Sequence, residues 1–348
     1  MTEKDYSGAT TSKIGKNAKS AGASSRVEMA DIKKKQEKKQ PEAENSNESG
    51  IDIQSYKKAG EIAKKAREFA RNLIKKDMLL SEIAEKIEAK IQELDGELAF
   101  PVNLSIDDVA AHYSPTLRDE KRAEGLLKVD IGVHVNGCIA DLAFSLDLTP
   151  EKKHAKLIEA SEKALQAALE IVKKNKEKTT LSQIGAEIEK TIKSQGFSPI
   201  ANLSGHSLDE FEVHSGLTIP NIDNSSAKEL GEGAFAIEPF ATLAHGSGSI
   251  YEAGASNIYH FAGSGIQVRD NASREVLAWI METKRTLPFS RREIEKKFGS
   301  KTLLAISSLK RAGAIKEYPQ LVEKNHQVVS QSEASFIIFK GKVEIITE

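Results

Sequence analysis

The chain has 348 residues, of which 39% are hydrophobic and 29% charged, and its formal net charge at pH 7 is −1. This balance excludes a general electrostatic attraction to nucleic acid or membranes, so we expect neither a DNA partner nor a membrane partner. The only cysteine, Cys138, excludes an internal disulfide. The opening residues MTEKDYSG lack the apolar core of a signal peptide, and no apolar run approaches the roughly 20 residues of a membrane span, so we expect a cytoplasmic protein.

Residues 1–50 differ in composition from the rest of the chain. They are rich in Ser, Ala, Lys, Glu and Asn, and Tyr6 is their only aromatic residue. Such a segment cannot bury enough apolar surface to fold, so we predict a disordered, low-complexity tail. Its basic run, Lys33 to Lys39, is interpreted as solvated, with RNA or a ribosome surface as the alternative partner.

From Ile51 onward the sequence contains two similar halves. Leu80–Ile91 matches Leu181–Ile192 at an offset of 101 residues, and both segments have isoleucines at helical spacing. In each, the serine after the first leucine is predicted to cap the helix N-terminus. Each segment follows a longer amphipathic helix, near 55–75 and 155–176, and precedes an Asn-Leu-Ser tripeptide and strands. The pattern predicts an α/β (α+β) fold with a pseudo-two-fold duplication, in which the strands form one curved sheet and the helices lie outside it.

The stretch KVDIGVHVNGCIADLAFSL predicts a β-hairpin with Asn136-Gly137 as its two-residue turn. In that register Asp141 lies opposite Gly132, and Asp130 shares their face of the sheet, with the two carboxylates roughly 7 Å apart at Cβ. An amphipathic hairpin with its polar face in water would explain the pattern. Two carboxylates this close would equally suit two divalent cations about 3.5 to 4 Å apart, and the hairpin alone does not decide.

Other chemically suggestive residues follow the two repeats: His112, His206, His214, Glu238 and Glu333. Taken singly, each has an ordinary explanation as a hydrogen-bonded loop histidine or a solvent-facing glutamate. Together with the hairpin aspartates, the two glutamates carry about −4, which two divalent cations would neutralise, and His206 adds a neutral nitrogen ligand. Oxygen ligands with one imidazole suit Mn²⁺, Fe²⁺, Co²⁺ or Zn²⁺.

The motifs AFPVNLSIDDVAAHYSP, KVDIGVHVNGCIADLAFSL, NLSGHSLDEFEVHSGLTIPN, AFAIEPF and VVSQSEASFIIF, in this order, resemble type 2 methionine aminopeptidases, and among these the archaeal forms most closely. The resemblance extends over about Ile51–Glu348. It implies the pita-bread fold and a dinuclear-metal aminopeptidase that hydrolyses the N-terminal (initiator) methionine from nascent proteins and peptides with a small second residue. In such an enzyme, water activated between the two metal ions is the nucleophile.

The resemblance also implies roles for particular residues. Five match the family's metal ligands: Asp130, Asp141, His206, Glu238 and Glu333. His112 and His214 match two histidines that contact the substrate around the scissile amide, and Phe100 and Tyr318 match residues that line the pocket for the methionine side chain. Glu238 is expected to act also as general base and then acid, so the expected catalytic residues are His112, His214 and Glu238.

Residues 271–324 are predicted to form a winged-helix-like helical insertion, which in the resemblance separates type 2 from type 1 enzymes. Ser290 and Glu293 form a predicted capping box, and Gly299 and Gly313 are predicted to end two helices. From Arg274 to Lys324 there are twelve Lys and Arg against six Glu, a net charge of about +6. We expect this excess to face solvent around the peptide entrance, with nucleic-acid binding as the alternative.

The chain departs from the family pattern in two places. Residues 114–128 lack a glycine-aspartate loop expected there, and Ala334-Ser335 follow Glu333 where the family usually has His-Thr. Neither departure falls on an expected metal ligand.

Two alternative functions stay open. One is an X-Pro-type peptidase of the same fold, which usually carries an extra folded N-terminal domain where this chain has the predicted tail. The other is a non-enzymatic RNA-binding or ribosome-binding relative, against which the five filled ligand positions argue. The expected partners are nascent polypeptide N-termini, with possible ribosome association, and the expected oligomeric state is a monomer.

Overall fold

The computed structural model describes residues 51–263 and 267–348, so the predicted tail at 1–50 lies outside the described residues. The described helices are α1 (Ile53–Leu73), α2 (Leu80–Glu93), α3 (Ala155–Asn175), α4 (Leu181–Ser194), α5 (Asn271–Thr283), α6 (Arg291–Phe298) and α7 (Thr302–Arg311), with short 3-10 turns at Lys176–Lys178 and Gly299–Lys301. None of these helices is long and apolar enough to cross a membrane.

The strands in this part of the chain are β1 (Glu97–Leu98), β2 (Asn103–Ile106), β3 (Val109–Ala111), β4 (Leu126–Val135), β5 (Cys138–Asp147), β6 (Phe197–Pro199), β7 (Ser204–Leu208), β8 (Thr218–Pro220), β9 (Gly233–Ile237), β10 (Phe240–Leu243), β11 (Ile250–Phe261), β12 (Phe289–Ser290), β13 (Ile315–Glu323), β14 (Val329–Gln331), β15 (Glu333–Phe339) and β16 (Lys342–Ile345).

Two helix pairs, α1 with α2 and α3 with α4, reproduce the predicted duplication. The helix α1 contacts β4 and β5 through a stripe of fully buried alanines at Ala59, Ala63, Ala66 and Ala70. Because alanine is small, this spacing lets the helix backbone lie close to the hairpin. The duplicated halves therefore place their helices against the sheet, as predicted.

The predicted serine caps of α2 and α4 were wrong, because each N-cap lies two residues before the serine. Both helices begin at the leucine before the serine, and the N-cap residues are Leu79 and Thr180. Thr180 forms a full capping box with Gln183, whereas Leu79 offers no side-chain cap. In α4, Thr180 is a better cap than Ser182 because its hydroxyl accepts a hydrogen bond from the N3 amide of the helix.

The largest sheet has the strand order β1-β4-β5-β15-β9-β7-β8, with β2 added on β4 and β16 on β15. Smaller sheets have the orders β14-β10-β6 and β12-β11-β13-β3. The pairings described between these strands are all antiparallel, so a mostly antiparallel sheet, as predicted, forms the centre of the fold.

The hairpin β4–β5 has the predicted register. Asn136 and Gly137 form the turn with positive φ angles of 53° and 91°, and Gly132 lies opposite Asp141. The face opposite the aspartates is apolar and packs into the core under α1 and α2. Cys138 is buried there, and burial raises the pKa of its thiol to about 12, so it is an inert core residue beside the turn.

The helices α5, α6 and α7 pack on β11, β12 and β13 around a core of their own, which contains Val276, Ile280, Phe289 and Leu309. The predicted capping box of Ser290 and Glu293 is confirmed at the start of α6. Gly299 follows α6 with φ 58°, and Gly313 lies just beyond α7 with φ 72°, so both predicted glycine stops are observed.

Candidate metal centre

Five neighbouring strands of the large sheet, in the order β4-β5-β15-β9-β7, each bring one predicted ligand to the same region. Three ligands lie within strands, one begins a strand and one follows a strand: Asp130 on β4, Asp141 on β5, His206 on β7, Glu333 at the start of β15, and Glu238 directly after β9. Residues up to about 200 positions apart in sequence thus converge because their strands pair side by side.

Small residues separate these ligands across the sheet. Ala143 on β5 lies opposite both Asp130 and Glu333, and Ala236 on β9 lies opposite His206. Because alanine adds little bulk on the face it shares with its neighbours, the longer side chains around it have room to approach one another.

The ligand atoms lie close together. One donor atom from each of Asp141, His206 and Glu333 lies within 4.8 Å of the other two. Nε2 of His206 is 3.8 Å from Oδ2 of Asp141 and 3.7 Å from Oε1 of Glu238. Asp130 borders the same cluster, since its charge acts on Asp141, Glu238 and Glu333.

The electrostatics of the cluster call for positive charge. Burial raises the pKa of Asp130 to about 7. Burial and then repulsion from neighbouring carboxylates raise the pKa values of Asp141, Glu238 and Glu333 well above their usual range. Four carboxylates this close cannot all stay ionised without cations.

Unpaired donor atoms show that the residues fit divalent cations. Oδ1 of Asp130 and Oδ1 of Asp141 are buried and have no hydrogen-bond partner within residues 51–263 and 267–348. Burial and the nearby His214 lower the pKa of His206 to about 3, so its imidazole is neutral and able to bind a metal. Carboxylate oxygens with one neutral imidazole are the ligand set that first-row divalent metals accept.

Three further side chains hold the ligands in place. The hydroxyl of Ser335 accepts a hydrogen bond from the backbone N–H of Asp141 at 2.8 Å and donates to its carbonyl at 2.7 Å. Nε2 of Gln331 lies 3.5 Å from carboxylate oxygens of both Glu238 and Glu333. Nδ2 of Asn221 donates to the carbonyl of Glu238 at 3.1 Å. These contacts fix the ligand backbones and orient the carboxylates.

A cavity of about 270 Å³ opens beside the cluster. Its lining includes the predicted ligands His206 and Glu238 and the predicted substrate-contacting histidines His112 and His214. The His214 ring lies 4.4 Å from the His206 ring, centroid to centroid. Both histidines therefore face the space where a ligand would approach the cluster.

His112 is held in a specific orientation. It has a positive φ of 63°, and its Nδ1 lies 3.2 Å from the carbonyl oxygen of Pro319. Burial and the nearby His214 lower its pKa to about 4, so the ring is neutral near pH 7. Because a carbonyl only accepts hydrogen bonds, Nδ1 carries the proton and Nε2 has a free lone pair.

Phe100 and Tyr318, the predicted pocket residues, lie near the cluster but are absent from the described lining of this cavity. The Phe100 ring fills the space beside Gly132, which lies opposite Asp141. The Tyr318 ring packs edge-on against His112 at 5.5 Å and lies 5.0 Å from the His260 ring. They border the site from two different sides.

The sequence analysis did not assign roles to Ser335, Asn221 or Gln331. Gln331 is two residues before Glu333, so strand alternation was a signal that both share a face. Ser335 shares that alternation, but its hydrogen bonds reach Asp141, 194 positions away, and no local pattern indicates them. Asn221 gave no signal in the sequence.

Comparison with known proteins places these observations in context. The sequence model of metallopeptidase family M24 matches residues 54–273. Methionine aminopeptidase of Pyrococcus abyssi is 40% identical over 305 residues, which cover 86% of this chain and 100% of the relative. Methionine aminopeptidase of Methanocaldococcus jannaschii is 38% identical over 304 residues, with 86% and 100% covered. The predicted resemblance to archaeal proteins of this kind is confirmed.

Two solved structures share the fold. A thermophilic Arx1 aligns with a TM-score of 0.73 and 17% identity over 85% of this chain and 91% of its own. Methionine aminopeptidase from Thermotoga maritima aligns with a TM-score of 0.59 and 19% identity over 86% of this chain and 98% of its own. The predicted pita-bread fold is therefore confirmed.

Proposed function

Because this chain belongs to metallopeptidase family M24, we propose that it is a methionine aminopeptidase, which removes the N-terminal methionine from nascent proteins and peptides whose second residue is small. The observation that carries this proposal is the convergence of four carboxylates and one neutral imidazole from five neighbouring strands beside a cavity. Relatives that are 40% identical and bear this name support the same reaction.

Asp130, Asp141, His206, Glu238 and Glu333 hold two divalent metal ions, with Co, Mn, Fe or Zn as candidates. Such ions, when bound, lower the pKa of water and polarise a peptide carbonyl. The orphaned oxygens of Asp130 and Asp141 and the raised carboxyl pKa values support this assignment.

Glu238 moves the proton. Its carboxylate is 3.7 Å from His206 and also lines the cavity, so it reaches both the ligand cluster and the substrate space. Gln331 contacts its carboxylate, and Asn221 donates a hydrogen bond to its backbone carbonyl. It accepts a proton from the attacking water and delivers it to the departing amine.

The two histidines bind the peptide around the scissile bond. His112 presents the lone pair of Nε2, because its Nδ1 donates to Pro319, and a lone pair suits the N–H of the scissile amide. His214 lines the same cavity beside His206 and orients the carbonyl. Phe100 and Tyr318 border the methionine pocket, in keeping with their apolar faces next to the cluster.

The setting of the enzyme follows from its substrate. Nascent N-termini arise in the cytoplasm, so we place the enzyme there, as a monomer, with ribosome association as a candidate interaction. In this proposal residues 271–324 are the insertion. The X-Pro peptidase and the non-enzymatic binder are the competing outcomes of the test below.

The test measures hydrolysis of Met-Ala-Ser and Ala-Pro by the purified protein with and without added Co²⁺ or Mn²⁺. We expect release of methionine from Met-Ala-Ser only with metal, and loss of that activity in Asp141→Asn, which keeps the shape but removes a ligand charge. A preference for Ala-Pro would favour the X-Pro function. Methionine release that survives both strong chelation and Asp141→Asn would refute the proposal.

A further inference from the structure

Arg292, in the first turn of α6, is completely buried, which is unusual for a charged side chain far from the metal cluster. Its Nη2 pairs with Oε1 of Glu88 on α2, a residue that is 7% exposed. Removing one partner of a buried ion pair leaves the other charge uncompensated. This buried ion pair therefore joins α6 to α2.

The same guanidinium holds the loop that begins at His112. Nη1 of Arg292 donates to the carbonyl of Pro115 and lies 3.3 Å from Oγ of Ser114. Nearby, Oε2 of Glu295 accepts a hydrogen bond from the N–H of Leu117 at 3.1 Å. The loop 112–117 is thus hydrogen-bonded to α6 at three residues, Ser114, Pro115 and Leu117.

Glu88 links Arg292 to the segment that follows Phe100. Oε1 of Glu88, besides its ion pair, accepts a hydrogen bond from the N–H of Val102 at 3.2 Å. One carboxylate oxygen therefore connects the segment after Phe100 with the arginine that holds the His112 loop.

A second contact, six to seven residues before Arg292 in sequence, holds the loop that carries His214. Oγ1 of Thr286 donates to the carbonyl of Phe211, and the guanidinium of Arg285 lies 4.0 Å from the centre of the Phe211 ring. Phe211 has a positive φ of 57° and its N–H donates to Gly137 at 2.9 Å. Three residues before His214, the chain is clamped between the hairpin turn and residues 285–286.

Among the cations of the helical segment, Arg292 is buried, whereas Lys296, Lys301 and Lys310 form surface pairs. Of the twelve Lys and Arg between Arg274 and Lys324, six form ion pairs: Lys284, Arg291, Arg292, Lys296, Lys301 and Lys310. The expectation that the positive excess simply faces solvent was therefore wrong for Arg292. Its burial makes it a structural cation.

We infer that residues 285–292, here called the brace, are positioning residues that fix the His112 loop and the His214 loop at the same time. This inference rests on the proposed function, because it assigns the brace the task of orienting two histidines around a scissile amide. Among the described residues, the side-chain hydrogen bonds and ion pairs of the brace reach neither the cavity lining nor the metal ligands. It acts through the two loops.

The experiment compares four variants with the parent. Arg292→Met combined with Glu88→Gln removes both charges, so no unpaired charge is buried, and Gln retains an acceptor for the Val102 N–H. Arg292→Lys keeps the charge. Thr286→Val removes only the hydroxyl at an exposed site, and Lys301→Met, which breaks a surface pair in the same helical segment, is the matched control.

Each variant is assayed for kcat and KM on Met-Ala-Ser, for bound metal, and for amide hydrogen exchange at residues 113–117 and 209–214. We expect the double variant to lose at least tenfold in kcat with unchanged metal content and faster exchange at 113–117. Thr286→Val should lose about threefold, with faster exchange at 209–214 alone. Arg292→Lys should recover part of the loss, and Lys301→Met should match the parent.

Parent-like kcat and parent-like exchange in the double variant and in Thr286→Val would overturn the brace. If the parent itself releases no methionine, the proposed function fails. Amide hydrogen exchange in the variants then tests the positioning role by itself. Faster exchange confined to the two loops supports that role, and unchanged exchange refutes it.

Discussion

Gly132 and Phe100 are in direct contact: a Cβ atom at residue 132 would lie 2.2 Å from Cε1 of the Phe100 ring. Residue 132 also lies opposite Asp141 in the hairpin. The absence of a side chain at residue 132 therefore lets an aromatic ring pack against the hairpin at the position opposite Asp141.

Gly132→Ala is expected to displace the Phe100 ring. Overpacking of this kind lowers the free energy of unfolding by about 1–3 kcal/mol. It should also raise KM for Met-Ala-Ser severalfold, since Phe100 borders the proposed pocket. Urea unfolding and steady-state kinetics test this. In the double variant with Phe100→Ala, the alanine at residue 132 should add little further cost, and simple additivity of the two losses would contradict the contact.

The metal-free protein should lose stability as pH rises from 5 to 8. Asp130, Asp141, Glu238 and Glu333 have folded pKa values raised above those of the unfolded chain. Between pH 4 and about 7 the unfolded chain therefore releases these protons before the folded chain does, which favours unfolding. We expect a melting temperature roughly 5 °C lower at pH 8 than at pH 5.

Asp141→Asn serves as the control for this pH dependence, because it removes one titrating group from the cluster. Its metal-free form should show a shallower fall in melting temperature, and added Mn²⁺ should stabilise the parent more at pH 8 than at pH 5. A parent whose metal-free stability rises over the same interval would contradict the electrostatic account.

His112 should stay neutral, with its proton on Nδ1, throughout pH 5.5 to 8. Its pKa is about 4 because burial and the nearby His214 disfavour the charged ring, and its Nδ1 faces the carbonyl of Pro319. Two-dimensional ¹⁵N NMR of the histidine side chains distinguishes the tautomers. A proton on Nε2, or a protonation step near pH 6.5, would contradict the proposed orientation toward the amide N–H.

Ser335→Ala should weaken metal binding although Ser335 is not itself a ligand. The substitution leaves the N–H of Asp141 without its side-chain partner, a loss of about 1–3 kcal/mol for a buried group. Ser335→Thr keeps the hydroxyl and is the matched control. Calorimetric titration with Mn²⁺ should show at least fivefold weaker binding for the alanine variant, and equal affinities in the two variants would exclude this support.

Local sequence signals predicted the hairpin well. The turn at Asn136-Gly137 has its own strong preference for positive φ, and that preference fixes the register of the flanking strands without help from the rest of the fold. The capping box at Ser290 was predicted for the same reason. The start at Leu181 was misplaced because Thr180 and Ser182 compete as caps, whereas the helix that starts at Leu80 follows Leu79 and has no side-chain cap.

The convergence of the site could not be derived from local patterns. Glu333 reaches Asp141 because β15 pairs with β5 and β9, and those pairings join segments that lie far apart in sequence. Charge counting suggested the group, and the resemblance of the motifs to a known family matched its five members to metal ligands. Arg292 and Glu88 are 204 positions apart, and the charge count alone suggested a solvent-facing arginine. Burial of a charge depends on its distant partner, which composition does not reveal.

Metal binding to the purified, metal-free protein tests the central claim most directly. In calorimetric titration with Mn²⁺ or Co²⁺, the parent should bind two ions per chain and regain Met-Ala-Ser hydrolysis as they bind. Glu333→Ala should bind fewer ions and lose at least a hundredfold in kcat. A parent that binds no divalent metal, or a Glu333→Ala variant with the parent's stoichiometry and activity, would contradict the account.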